Sequence, residues 1–177
     1  VVPQIIPQPS EMKIATGDFI LNEDTQIIAS EDFKISSEFL KTYISNGSDI
    51  VLNKDSGTNK ISFIKDKSFT NSEAYKLNIS EKEIIITAAS DRGAFFAVQS
   101  LRQLLPTSFE NGLFENKQVA IKCLTIKDEP QFKYRGMHLD VGRHMFSVDF
   151  IKKYIDALAM LKMNTFHWHL TEDQGWR

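Results

Sequence analysis

The chain has 177 residues, 42% hydrophobic and 25% charged, the balance of an ordinary globular protein. With 21 Lys+Arg against 23 Asp+Glu the formal charge is -2, so nothing in the charge points to a nucleic-acid partner. A single cysteine, Cys123, excludes a disulfide scaffold and a cysteine-cluster zinc site, and no apolar run approaches the roughly 18–20 residues of a membrane span.

Pro3, Pro7 and Pro9 predict that the first 15 residues are extended and weakly structured. Two short strands follow, 19–21 and 26–29, around a polar turn at 22–24. Residues 31–45 change period. Phe33, Phe39, Leu40, Tyr43 and Ile44 recur mostly three or four apart among Lys34, Glu38 and Lys41, which predicts an amphipathic helix ended by Asn46-Gly47. Strand patterns recur at 50–52, 61–64, 75–79 and 83–88, with a turn at 56–59 and a tight connection at 80–82. Ser90 or Asp91 caps a second helix through Leu105, with Phe95, Val98, Leu101 and Leu105 as its apolar stripe and Pro106 as its stop. A last strand spans 119–126. Residues 1–129 therefore read as an α+β domain, a β-sheet with two helices on one face.

Asp128-Glu129-Pro130 punctuates the chain, and the pattern changes after it. Residues 134–141 form a strand candidate, Ser147 caps a helix over 149–162, and 164–170 is a second strand. A strand, helix and strand in so short a span make a βαβ unit with parallel strands. One such unit cannot cover both faces of a parallel sheet, so further repeats are expected to follow, in a barrel or an open doubly wound sheet. The chain starts at Val1-Val2-Pro3 and stops at Trp176-Arg177, and it reads as a truncated piece with no signal peptide visible.

Ligands of parallel sheets bind beyond the carboxyl ends of the strands, which selects residues 140–144 and 167–174. Arg143, after Gly142, is placed to hydrogen-bond adjacent hydroxyls or a carboxylate; the alternative is a structural ion pair with Asp140 or a neighbouring loop carboxylate. His167 and His169 lie on one side of a strand and Trp168 on the other. That pair invites a metal, with Glu172 or Asp173 as third ligand, against plain packing with one hydrogen bond each. Glu172 and Asp173 suggest an acid/base pair, but adjacent extended residues diverge, and solvated carboxylates pairing with Arg143 or Arg177 are the alternative. Cys123 sits among apolar residues without a histidine nearby and reads as packing.

Residues 134–144, from Tyr134-Arg135-Gly136 to Arg143-His144, together with the following helix and the run Lys162-Met163-Asn164-Thr165-Phe166-His167-Trp168-His169-Leu170-Thr171-Glu172-Asp173-Gln174-Gly175-Trp176-Arg177, resemble the start of the catalytic barrel of family 20 glycoside hydrolases, the β-N-acetylhexosaminidases. Upstream, Glu73-Ala74-Tyr75-Lys76-Leu77 and Asp91-Arg92-Gly93-Ala94-Phe95-Phe96-Ala97-Val98-Gln99-Ser100-Leu101 look like that family's accessory domain. The resemblance implies an α+β accessory domain over 1–129 and the first βαβ of a truncated (β/α)8 TIM barrel over 130–177.

It also implies residue roles. Arg143 would hold hydroxyls of the terminal N-acetylhexosamine, and His169 would line the same subsite. Glu172 stands where most of the family have aspartate, a carboxylate supporting a catalytic histidine and glutamate; Asp173 and Asp140 are further supporting acids. The family's mechanism is substrate-assisted retention, in which the substrate's acetamido oxygen attacks the anomeric carbon while a glutamic acid protonates the leaving oxygen. That acid belongs to an Asp-Glu dipeptide expected downstream of residue 177, so no catalytic residue is assigned within this chain, which alone should be inactive.

The implied activity is exo-hydrolysis of terminal β-linked GlcNAc or GalNAc from glycans or chitooligosaccharides, without cofactor or metal. Two other classes compete: a non-catalytic glycan-binding or interaction module, and a metal-dependent barrel hydrolase using His167 and His169. No nucleic acid or membrane span is expected, a partner, a second copy or a longer chain is expected to cover the faces of the incomplete barrel, and the resemblance implies an exported protein.

Overall fold

The computed structural model describes residues 3–52 and 57–173. The chain divides into two compact units, Val1–Pro130 and Gln131–Arg177.

The first unit is a six-stranded mixed sheet in the order β1-β6-β4-β5-β3-β2. Its strands are β1 (Glu11–Asn22), β2 (Thr25–Ile28), β3 (Asn59–Lys65), β4 (Tyr75–Ile79), β5 (Glu83–Ala88) and β6 (Gln118–Asp128). Neighbours from β1 through β6 and β4 to β5 run antiparallel, whereas β5, β3 and β2 run parallel. A parallel neighbour requires a crossover, and α1 (Lys34–Gly47) supplies the one between β2 and β3. Only Glu23 and Asp24 separate β1 from β2, although these strands are the two edges of the sheet. Three peptide steps reach about 11 Å, so the edges must curl toward each other there. Asn59 Nδ2 donates to Ile20 O at 3.0 Å and ties them together.

Alternation along the strands points Phe19, Leu21, Ile61, Phe63, Leu77, Ile84 and Ile86 to one side, all buried. There they meet Leu40 and Ile44 of α1 and Val98 and Leu101 of α2 (Asp91–Leu104). The Ser90 hydroxyl caps α2 by accepting from Arg92 N at 3.2 Å, and it donates to Ser72 O at 2.6 Å. Two polar pairings brace this layer. Arg102, whose side chain is 4% exposed, forks onto Glu110 through Nε (2.8 Å) and Nη2 (2.5 Å), while Tyr43 OH donates to Glu110 Oε1 at 2.7 Å. The guanidinium hydrogen bonds hold the Glu110 carboxyl below its ordinary range. Tyr75 OH donates to Asp128 Oδ2 at 3.1 Å and shares a 2.6 Å hydrogen bond with Ser100, and burial raises its phenol well above the usual value.

The observed sheet with its helices accords with an α+β reading, but several elements differ from the sequence expectation. The stretch expected to be weakly structured becomes strand at Glu11, because β6 supplies backbone partners from Glu11 onward, and Ile5 is buried. Residues 50–52 form no strand. The chain leaves α1 through Ser48, which bridges to Phe114, and Ile50 is buried as a side chain without joining the ladder. Of the turn expected at 56–59, Asn59 belongs to β3 and residue 56 lies outside the described residues.

The second unit contains β7 (Gly136–Asp140), α3 (Val148–Met160) and β8 (Thr165–His169). The Ser147 hydroxyl starts α3 by accepting from Phe150 N at 3.2 Å. The helix ends with Lys162 in the left-handed region (φ 58) and Met163 N donating to Leu158 O at 2.9 Å, which satisfies a terminal carbonyl. β7 and β8 pair in parallel with Met137 opposite Phe166, His138 opposite His167 and Asp140 opposite His169. Asn164 sets this register: its Oδ1 accepts from Arg135 N at 3.0 Å and its Nδ2 donates to Lys133 O at 2.7 Å. On one face, Phe166 stacks on Trp168 and meets the Tyr154 ring of α3 at a tilt (5.8 Å to each). The opposite face carries His138, Asp140, His167 and His169. No helix among the described residues is long and apolar enough to cross a membrane.

Candidate active site

The candidate site lies at the carboxyl ends of β7 and β8. Asp140 ends β7, and its Oδ1 accepts from two backbone amides of the next turn, Gly142 N at 2.9 Å and Arg143 N at 3.0 Å. This Asx-type turn fixes the direction in which the chain leaves the strand. A Cβ on Gly142 would lie 3.3 Å from Asp140 Oδ1 and 3.6 Å from Glu172 Oε1, so the turn runs close against both carboxylates.

Arg143 bridges the two loops. Its guanidinium donates to Asp140 Oδ2 and, at 3.0 Å, to Glu172 Oε2. His169 Nε2 lies 3.0 Å from Glu172 Oε1. The carboxylates are largely covered, with side chains 20% and 14% exposed, whereas Arg143 is 65% exposed. Hydrogen bonds from the Arg143 backbone and side chain hold the Asp140 carboxyl down at about 2, and the two carboxylates raise Arg143 further above its ordinary value. A permanent cation is thus aimed out of the strand ends from an anionic seat. It suits recognition of hydroxyls by charge-assisted hydrogen bonds.

The residues expected from sequence are placed unevenly. Arg143, Asp140, Glu172 and His169 come together, whereas Asp173 is exposed and outside the cluster. Arg177, the other cation considered for Glu172, lies outside the described residues. His167 and His169 do share a side, but His167 turns to the His138 ring (centroids 4.8 Å apart) rather than to the carboxylates. Asp140, His169 and Glu172 each place one ligand atom within 4.8 Å of the others, a spacing that suits a divalent cation. Arg143 already sits against both carboxylates of that set and neutralises them. The sequence reading missed His138, whose ring lies 5.7 Å from His169 as well as against His167. Its two-residue spacing from Asp140 was the available signal, since both must face the same side. Cys123 is 2% exposed and burial pushes its thiol up, the behaviour of a packing residue.

An α+β unit and a parallel βαβ unit with a polar cluster at its strand ends place the chain among multidomain α/β proteins. The family model for glycosyl hydrolase family 20, domain 2, matches residues 2–129, and that for the family 20 catalytic domain matches 132–177. A β-hexosaminidase of Porphyromonas gingivalis is 37% identical over 98% of the chain, and one of Vibrio furnissii 33% identical over 98%. Among solved structures, the family 20 β-N-acetylhexosaminidase of Streptomyces coelicolor superposes with a TM-score of 0.86 at 30% identity, covering 98% of this chain and 36% of that one. The Vibrio harveyi exo β-N-acetylglucosaminidase, solved with N-acetylglucosamine, gives 0.82 at 34% identity over 98% and 26%. The chain belongs to glycosyl hydrolase family 20. It spans about a quarter of the curated relatives' length, 23% and 27% for the two above.

Proposed function

We propose that the chain is the N-terminal part of an exo-acting β-N-acetylhexosaminidase that removes terminal β-linked GlcNAc or GalNAc by substrate-assisted retention. In this reading residues 1–129 are the accessory domain and 130–177 open a (β/α)8 barrel. The observation that carries it is the Arg143 guanidinium, seated on Asp140 and Glu172 at the ends of two parallel strands. Arg143 holds hydroxyls of the terminal sugar. Asp140 and Glu172 fix its orientation, and His169 contributes a wall of the subsite. Asp173 is a supporting acid further out, and the proton donor comes from an Asp-Glu pair beyond residue 177.

Relatives named for chitooligosaccharide and diacetylchitobiose cleavage support chitin-type glycans as substrates, and such substrates go with an exported enzyme. The test is hydrolysis of an aryl N-acetyl-β-glucosaminide with the anomer of the product followed by NMR. The intact protein is expected to release β-configured sugar first, and the 177 residues alone none. An inverted product, or hydrolysis by the 177 residues, contradicts the reading.

A further inference from the structure

The outer face of the first unit's sheet carries three lysines on adjacent strands. Lys76 of β4 stands directly opposite Lys127 of β6, and Lys13 of β1 stands opposite Thr125, two residues along β6. Side chains directly opposite on antiparallel strands have Cβ atoms about 5 Å apart, and like charges in that position destabilise the pair. Other strand lysines of this sheet are neutralised: Lys60 by Glu83 (3.2 Å), Lys65 by Asp32 (2.9 Å) and Lys122 by Asp18 (3.3 Å). Lys13, Lys76 and Lys127 form no ion pair with any described carboxylate; Glu11 of β1 stands directly opposite Lys127 and lines the same cleft, so three lysines face one carboxylate there and leave an excess of positive charge. The cleft, about 380 Å³, is lined by Glu11, Lys13, Lys76, Thr125 and Lys127. Next to it the Thr125 hydroxyl donates to Asn78 Oδ1 at 2.7 Å, which orients the Asn78 amide N–H groups for other acceptors.

From this arrangement we infer that the cleft is a binding site for an anionic polysaccharide, with the lysines taking its sulfate or uronate groups and Asn78 and Thr125 its hydroxyls. The chemistry separates this ligand from others. Flexible ammonium groups without arginine suit charges spread along a chain rather than one bidentate group. No aromatic ring lines the cleft to stack a nucleobase. The site is local, because the whole chain carries a net charge of -2. It lies in the first unit and does not depend on the hydrolase reading.

The test titrates the intact protein at low salt with heparin, with polygalacturonate, with neutral chitohexaose and with poly-glutamate. Two variants are compared: K13Q/K76Q/K127Q, and K41Q/K67Q/K117Q, which removes the same charge from exposed dispersed lysines. Binding of heparin or polygalacturonate is expected, and whichever binds more tightly identifies sulfate or carboxylate as the group read. The cleft variant is expected to bind about tenfold more weakly, the sum of three exposed charge contacts, and the dispersed variant within about twofold of wild type. Equal losses in both variants, no binding of either polysaccharide, or equal affinity for poly-glutamate would overturn the proposal. The cleft variant is expected to melt no lower than wild type, since it relieves the Lys76–Lys127 repulsion. A lower melting temperature would assign the lysines to sheet stability and also overturn it.

Discussion

Arg143→Ala in the intact protein is expected to lower kcat/KM for an aryl N-acetyl-β-glucosaminide by about 10²–10³-fold, the loss typical of a removed transition-state hydrogen bond. A guanidinium has five N–H donors. Hydrogen bonds to Asp140 Oδ2 and Glu172 Oε2 engage two and fix the plane of the group, and a side chain 65% exposed leaves other donors open to a ligand. Arg143→Lys is not expected to restore activity, because an ammonium cannot hold both carboxylates in a fork and still present aligned donors. The pH dependence follows from the sign of the shift at Asp140. Its carboxyl is depressed to about 2, so the Arg143–Asp140 pair is present above the ordinary carboxylate range and lost only as pH falls through about 2. The fold-loss is therefore expected to be constant from about pH 5 upward. A variant with wild-type turnover and an unchanged melting temperature would remove Arg143 from the site.

Gly93→Ala is expected to destabilise the first unit by about 1–3 kcal/mol, against a helix-propensity gain of about 1 kcal/mol. Gly93 lies in the first turn of α2, where the helix meets the segment leading into β4. A Cβ there would fall 2.4 Å from Ala74 O, 3.2 Å from Ser72 O and 3.2 Å from the Ala88 Cβ. These are backbone atoms and a strand methyl, not the ends of flexible side chains. Ala74 N is itself bonded to Asn71 O at 3.1 Å, and Ala74 and Ala88 are 3% and 0% exposed. Relief requires α2 to lift from β4 and β5, which would open the contacts of Val98 and Leu101. Thermal unfolding checks this: a drop of several degrees is expected, and a higher midpoint would show that the helix was free to move.

The helices and inner strands were legible because local chemistry and tertiary context agree there. Ser90 and Ser147 each accept from a first-turn amide, Pro106 ends α2, and residues 75–79 alternate buried and exposed as the ladder demands. The strand beginning at Glu11 was not legible. Its first half is largely exposed edge held by backbone pairing to β6, so apolar periodicity had nothing to report. Ile50 misled in the opposite way, being buried without belonging to a strand. The order of the sheet depends on which strands meet across long loops, and no local pattern encodes that.

At the candidate site the pairing of Arg143 with Asp140 and Glu172 was among the alternatives that position alone left open. The split between His169, which meets the carboxylates, and His167, which meets His138, depends on the β7–β8 register. That register is set by Asn164, a residue with no chemistry of its own to attract notice.

The most direct measurement is a crystal structure of the intact protein with N-acetylglucosamine bound. The sugar's hydroxyls are expected within about 3 Å of the Arg143 guanidinium, with Asp140 and Glu172 still seated behind it. A sugar bound elsewhere, with Arg143 committed to its two carboxylates and touching no ligand atom, would contradict the account.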